Sequence, residues 1–215
     1  MLNLINYRNI LAELEKYGAS LVAVSKLKSN EDISELVANG QKVFGENYVQ
    51  ELVEKNKSIP EAEWHFIGHL QSNKVKSIIP FVTLIHGIDS LKLLKEVNKQ
   101  ASAVNKIQDC LLQIHIAEEE TKFGFSIDEA ETLLNSKKLL ELRNISVKGL
   151  MSLATLSDDK NKIRIEFKRL GEFFNKYKSN NFSILSMGMT SDYKIALEEG
   201  STMVRIGSAI FGERK

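Results

Sequence analysis

Short apolar runs alternate along the whole chain with longer stretches in which apolar residues recur every three to four positions. The short runs have the length and composition of buried strands, and the longer stretches have the period of amphipathic helices. Eight strands are predicted: Ser20–Ser25, Lys42–Gly45, Trp64–Ile67, Thr83–His86, Cys110–Ile116, Ser146–Met151, Phe182–Ser186 and Met203–Ile206. Helices are predicted between them over Glu31–Asn39, Tyr48–Lys57, Asn73–Ile79, Leu91–Ala103, Ile127–Ser136, Lys160–Tyr177 and Ser191–Glu199. Eight strand–helix units imply a parallel sheet closed on itself, so the expected fold is a single (β/α)8 TIM barrel spanning 1–215. The stretch Asn3–Tyr17 adds an N-terminal helix in front. Pro60 and Pro80 fall where a helix should end before a strand, Gly18 and Gly40 close helices, and Gly45, Gly68, Gly188 and Gly207 sit at strand ends.

Composition narrows the function more than the fold. With 43% apolar and 27% charged residues the chain builds a packed core, and a formal charge of +1 provides no field to hold a polyanion such as nucleic acid. The first residues, MLNLINYRNILAELEKYG, read as an amphipathic helix without a cleavage site, and no apolar run approaches the ~20 residues that span a bilayer. A single cysteine, Cys110, rules out an internal disulfide framework and fits the cytoplasm. His65, His69, His86 and His115 lack metal-ligand spacing, and neither glycine-rich nucleotide loop occurs.

In such barrels function gathers in the loops after the strands. Lys26 follows the first strand directly, where a partly dry cavity can lower an amine's pKa enough for it to attack a carbonyl; a solvated lysine at a strand end fits the same position. Glu46–Asn47 follow the second strand, Gly68–His69 the third, Ser152 the sixth and Met187 through Ser191 the seventh. Ser191 at a helix start and the turn Gly207–Ser208 after the eighth strand offer backbone N–H groups, hydroxyls and a helix dipole to a phosphate, although Thr190 or Ser191 fits a simple helix cap as well. Arg205, between Val204 and Ile206, points into the barrel by strand alternation and there needs either an anion or a structural salt bridge.

The segments AVSK (Ala23–Lys26), FGENYVQE (Phe44–Glu51), WHFIGHLQSNK (Trp64–Lys74), GLMSLA (Gly149–Ala154), LSMGMTSD (Leu185–Asp192) and VRIGSAIFG (Val204–Gly212) together resemble the pyridoxal phosphate homeostasis protein family, also called the proline synthase co-transcribed family. That family is similar to the barrel domain of alanine racemase, a fold-type III pyridoxal 5′-phosphate (PLP) protein. The resemblance implies PLP as cofactor, held as a Schiff base on Lys26, with Ser191, Gly207 and Ser208 at the phosphate, Arg205 at the pyridine nitrogen and Asn47 close by. His69, Ser152 and Met187 match positions near the mouth, as lining. Serine at 208, where many relatives carry threonine, keeps the hydroxyl; the loop EEETKFGF (Glu118–Phe125) departs from the family by the bulky Phe123.

Racemisation needs an acid or base on each face of the substrate α-carbon. In alanine racemase the opposing tyrosine comes from a second domain, and this sequence reaches Lys215 just past the last barrel motif. An arginine at the pyridine nitrogen also weakens the electron sink. The expected function is therefore PLP homeostasis with little or no catalysis, PLP passing by imine exchange to apo PLP-dependent enzymes, from a monomer or weak homodimer. The competing expectations are a weak amino-acid racemase or decarboxylase, or an interaction protein whose cofactor is structural.

Overall fold

The computed structural model describes residues 2–117 and 123–212. In chain order the elements are α1 (Leu4–Lys16), β1 (Ser20–Val24), α2 (Asn30–Ala38), β2 (Val43–Glu46), α3 (Val49–Ser58), β3 (Glu63–Phe66), α4 (Val75–Ile78), β4 (Leu84–Ile88) and α5 (Leu91–Ala103). There follow β5 (Gln108–Gln113), α6 (Ile127–Leu134), α7 (Lys137–Leu140), β6 (Ile145–Met151), α8 (Lys160–Tyr177), β7 (Ile184–Ser186), α9 (Tyr193–Glu198), β8 (Met203–Ile206) and α10 (Ser208–Phe211). The strands form one closed parallel barrel in sequence order, β8 returning to β1, which is the expected (β/α)8 architecture.

Alternation along the strands divides the apolar residues into two cores. Leu21, Ala23, Phe44, Trp64, Phe66, Leu185, Val204 and Ile206 point outward into a large cluster beneath the helices. Val22, Leu84, Leu111, Met151 and Met203 point inward and fill the barrel. Each such side chain contributes roughly 1.5–3 kcal/mol by leaving water. Helices meet the outer cluster through buried stripes, as in α8, where Ile163, Phe167, Leu170 and Phe174 recur at helical spacing and the Asp159 carboxylate caps the N–H groups of Asn161 and Lys162. The N-terminal helix α1 is tied to α10 by Asn3 N–H to the Ile210 carbonyl (2.7 Å) and Asn6 Nδ2 to the Ala209 carbonyl (2.7 Å), closing the helical ring where the chain ends approach.

Several boundaries differ from the sequence expectation. The helix predicted over Asn73–Ile79 is a 3-10 turn, Ser72–Lys74, leading into the single turn of α4. Phe182 leaves the seventh strand because it pairs with Ser179 in a local turn. The last crossover helix starts at Tyr193, two residues late, with Asp192 at its N-cap position. Among the described residues no helix is long and apolar enough to cross a membrane.

Gly149 marks the tightest approach between strands. At φ +154°, an added Cβ would lie 1.8 Å from the Ile184 carbonyl oxygen of β7. Gly149→Ala is expected to lower the unfolding free energy by about 2–4 kcal/mol, read from urea denaturation, because backbone on both sides must move.

Candidate functional site

At the C-terminal end of the barrel lies a cavity of about 450 Å³. The inward parity that buries Val22 continues upward to Val24 and Lys26 on one strand, and that of Met203 continues to Arg205 and Gly207 on its neighbour. Lys26, Asn47 and Arg205 all border the cavity, with Val24, Ile67 and Leu153 as its apolar wall. The turns after β7 and β8 complete it with Met189, Thr190, Ser191, Gly207 and Ser208.

Lys26 stands in a four-residue turn closed by the Lys28 N–H on the Ser25 carbonyl at 3.0 Å. The next residue, Leu27, has φ +60°, a left-handed conformation that costs a side-chain-bearing residue roughly 1–2 kcal/mol. Across the cavity Ser208 Oγ donates to Thr190 Oγ1 at 3.2 Å, so the β7 and β8 turns are joined hydroxyl to hydroxyl. Asp192 does not cap with its side chain toward α9; it accepts the Met189 N–H at 2.5 Å and shapes the turn that carries Thr190 and Ser191. Both following helices are short, which makes the expected dipole contribution small. The capacity for an anion rests instead on hydroxyls and on first-turn N–H groups such as those of Ser208 and Ala209, which have no intrahelical acceptor.

Arg205 is 4% exposed. Its Nη1 donates to the Ser186 carbonyl (2.8 Å) and Oγ (2.6 Å), and its Nη2 to the Ser152 carbonyl (2.8 Å). These acceptors are neutral, so the alternative of a structural salt bridge is not what holds it. Burial pulls its pKa down to about 10, opposed by the charge of Asp192, and it remains a cation at neutral pH. Beneath it Ser186 Oγ is 3.1 Å from His86 Nδ1, and His86 Nε2 is 3.0 Å from His65 Nδ1. Ser186 Oγ, while accepting from Arg205, can give its own proton to His86 Nδ1, with His86 Nε2–H donating to His65 Nδ1. That tautomer pairs the atoms from Ser186 Oγ to His65 Nδ1 with both rings neutral.

The predicted site residues separate into three groups. Lys26, Asn47, Ser191, Arg205, Gly207 and Ser208 share the cavity. His69 borders an adjoining cavity of about 200 Å³ that shares Asn47, Ile67 and Leu153 with the first; its Nδ1 lies 3.0 Å from Asp89 Oδ2 and its ring stacks on Phe123 at 4.0 Å. Ser152 and Met187 are corrections to the lining. Ser152 is fully buried, its Oγ donating to the Ile114 carbonyl at 2.6 Å, and it touches the site only by its carbonyl on Arg205. Met187 has the outward parity of Leu185 and packs in the outer core, leaving Met189 to line the cavity. Of the loop after β5, Glu118–Lys122 lie outside the described residues. The sequence reading missed the His65–His86–Ser186 line, although all three stand at inward positions of their strands. No group of three or more His, Cys, Asp or Glu that could hold a metal occurs among the described residues.

The model of the alanine racemase N-terminal domain matches residues 5–215. The chain belongs to that family. Within the family, it is 40% identical over 202 residues to a pyridoxal phosphate homeostasis protein of Aquifex aeolicus, covering 92% of this chain and 88% of that protein. It is 37% identical to the pyridoxal phosphate homeostasis protein of Escherichia coli, covering 91% and 86%. Among solved structures, PipY of Synechococcus elongatus with PLP bound superposes with a TM-score of 0.84 at 30% identity, covering 94% of this chain and 98% of that one. An alanine racemase of Clostridium difficile in complex with cycloserine shares the fold at 14% identity, with a TM-score of 0.75 over 99% of this chain and 61% of its own.

Burial pushes His65 down to about 4 from 6.5, and holds His86 well below its usual 6.5 together with the charges of His65 and Arg205. The unfolded chain takes up protons on both rings near pH 6.5 while the folded barrel does not, so stability is fully present above that pH and is lost as pH falls toward 4. At pH 5 the His65 ring costs about 2 kcal/mol relative to pH 7, and His86 adds a loss of the same sign. Urea denaturation at the two pH values should show this loss, and His65→Gln should reduce it.

Proposed function

We propose that this chain binds PLP, holds it as a Schiff base on Lys26 and serves intracellular PLP homeostasis with little or no turnover of amino acids. The observation that carries the reading is convergence: an amine, a buried cation and a hydroxyl-and-glycine anion cradle face one cavity sized for a small ligand. The names of the curated relatives and the PLP-bound PipY support it. The residues present fit the group. Asn47 Oδ1 is buried without a hydrogen-bond partner, and an added Cβ at Gly207 would lie 3.0 Å from the Val24 carbonyl oxygen, so glycine keeps the cradle close to β1. Lys26 Nζ would condense with the aldehyde carbon, releasing one water. Ser191, Gly207 and Ser208 would hold the phosphate, Arg205 the pyridine nitrogen, and Asn47 would flank the ring.

PLP chemistry on amino acids draws on a protonated pyridine ring as electron sink. Arg205, cationic and donating, opposes that protonation. Besides Arg205, Lys26 is the one titratable side chain among the described residues bordering the cavity, so this described lining supplies a proton shuttle from Lys26 alone. Each 1.4 kcal/mol of lost transition-state stabilisation is about tenfold in rate, and both losses act on the same step. Release to apo PLP-dependent enzymes in the cytoplasm would follow by exchange of the Lys26 imine for another amine.

The purified protein mixed with PLP is expected to show an imine absorbance band that borohydride fixes onto the peptide containing Lys26. Lys26→Ala should remove the band. Persistence of the band in that variant would sink the assignment, and steady turnover of a free amino acid, abolished by Lys26→Ala, would favour a weak racemase or decarboxylase.

A further inference from the structure

Behind the turn that carries Lys26 lies a buried charge cluster with no part in the cavity wall. Glu46, fully buried at the end of β2, accepts from Ser25 Oγ at 2.6 Å and from Lys55 Nζ at 2.8 Å. Lys55 Nζ also donates to the Ser25 carbonyl at 2.7 Å and to Glu51 Oε1, one turn back on α3, at 2.6 Å. Glu51 Oε1 in turn accepts the backbone N–H of Leu27 at 2.6 Å. The residues on both sides of Lys26 are therefore anchored to one set of charges.

The anchoring coincides with the strained residue. Position 27 is the third of the turn Ser25–Lys28 and sits at φ +60°, where glycine or asparagine is usual, yet it carries leucine. The leucine side chain is 66% exposed, so burial does not offset the strain. The hydrogen bond to Glu51 does. Buried ion pairs are a weak source of net stability because desolvation opposes their attraction, and here Glu46 Oε2 is left buried without a partner. What the cluster supplies is geometry: it fixes the peptide units from which the Lys26 side chain departs.

We propose that Glu51, Lys55 and Glu46 are positioning residues that hold the Ser25–Lys28 turn in its strained form, so that the amine of Lys26 is presented to the cavity in reacting geometry. The inference rests on the proposed role of Lys26. A cluster that merely pinned α3 to the barrel would change stability and leave the reaction of folded protein with PLP untouched.

The test measures the rate at which the imine band forms when PLP is added to folded protein, with folding checked by circular dichroism. Glu51→Ala, at a partly exposed helical site, is expected to fold and to form the imine roughly ten- to a hundredfold more slowly, as a reacting group displaced by about 1 Å does. Glu51→Gln keeps an acceptor for the Leu27 N–H and should lose less. Adding Leu27→Gly to Glu51→Ala should restore most of the rate, since glycine adopts the left-handed conformation unaided. Wild-type rates in both Glu51→Ala and Lys55→Met would overturn the positioning role, as would failure of Leu27→Gly to rescue; if Lys55→Met does not fold, the Glu51 and Leu27 variants decide alone. Absence of a Lys26 imine in the wild-type protein would instead overturn the proposed function.

Discussion

A closed barrel of eight parallel strands has a single interior, and every second residue of every strand is committed to it. Position along the barrel axis then decides what an inward side chain can be. In the middle, Val22, Leu84, Leu111, Met151 and Met203 exclude water by filling the space. Toward the C-terminal end the strands diverge into loops, and the same parity delivers Lys26, Asn47 and Arg205 to a cavity instead of a core. The site is thus the continuation of the packing pattern past the point where packing is complete.

Arg205 shows what this commitment demands. A guanidinium removed from water must find acceptors, and the barrel provides carbonyls of β7 and of the residue after β6, together with the Ser186 hydroxyl. Two histidines placed below would ordinarily compete for charge in the same low-dielectric space. Burial, with the charge of Arg205 beside His86, keeps both rings neutral, so one cation stands in the floor of the cavity and it belongs to Arg205.

Much of this was legible in the chain because local and long-range signals agree. The helices Leu91–Ala103 and Lys160–Tyr177 have the predicted bounds, since Ser90 and Asp159 cap stripes of helical period. The strand Met203–Ile206 also has its predicted bounds, and its alternation put Arg205 inside. Signals failed where a side chain serves a distant partner. Nothing near Lys55 in the run Val53–Ser58 distinguishes it from the exposed Lys57, and its burial follows only from the placement of Glu46 and Ser25 across the α3–barrel seam. His65 and His86 lie 21 residues apart, and their contact depends on the β3–β4 register. Met187 follows the outward parity of Leu185 into the outer core, which its place in the motif LSMGMTSD does not reveal.

The balance between holding a cofactor and using it then turns on a few atoms. On the proposed reading, the ring nitrogen of PLP meets the guanidinium of Arg205, whose pKa of about 10 makes it a hydrogen-bond donor that does not surrender its proton at neutral pH. The nitrogen is kept as an acceptor, the electron sink stays shallow, and attack on bound amino acid is disfavoured. Exchange of one amine for another at the imine carbon needs no such sink. It needs an amine held in place, which the strained turn at Leu27 provides for Lys26, and a mouth open enough for a second amine to enter. On that reading, a geometry poor at carbanion chemistry would still leave transfer of the cofactor unimpeded.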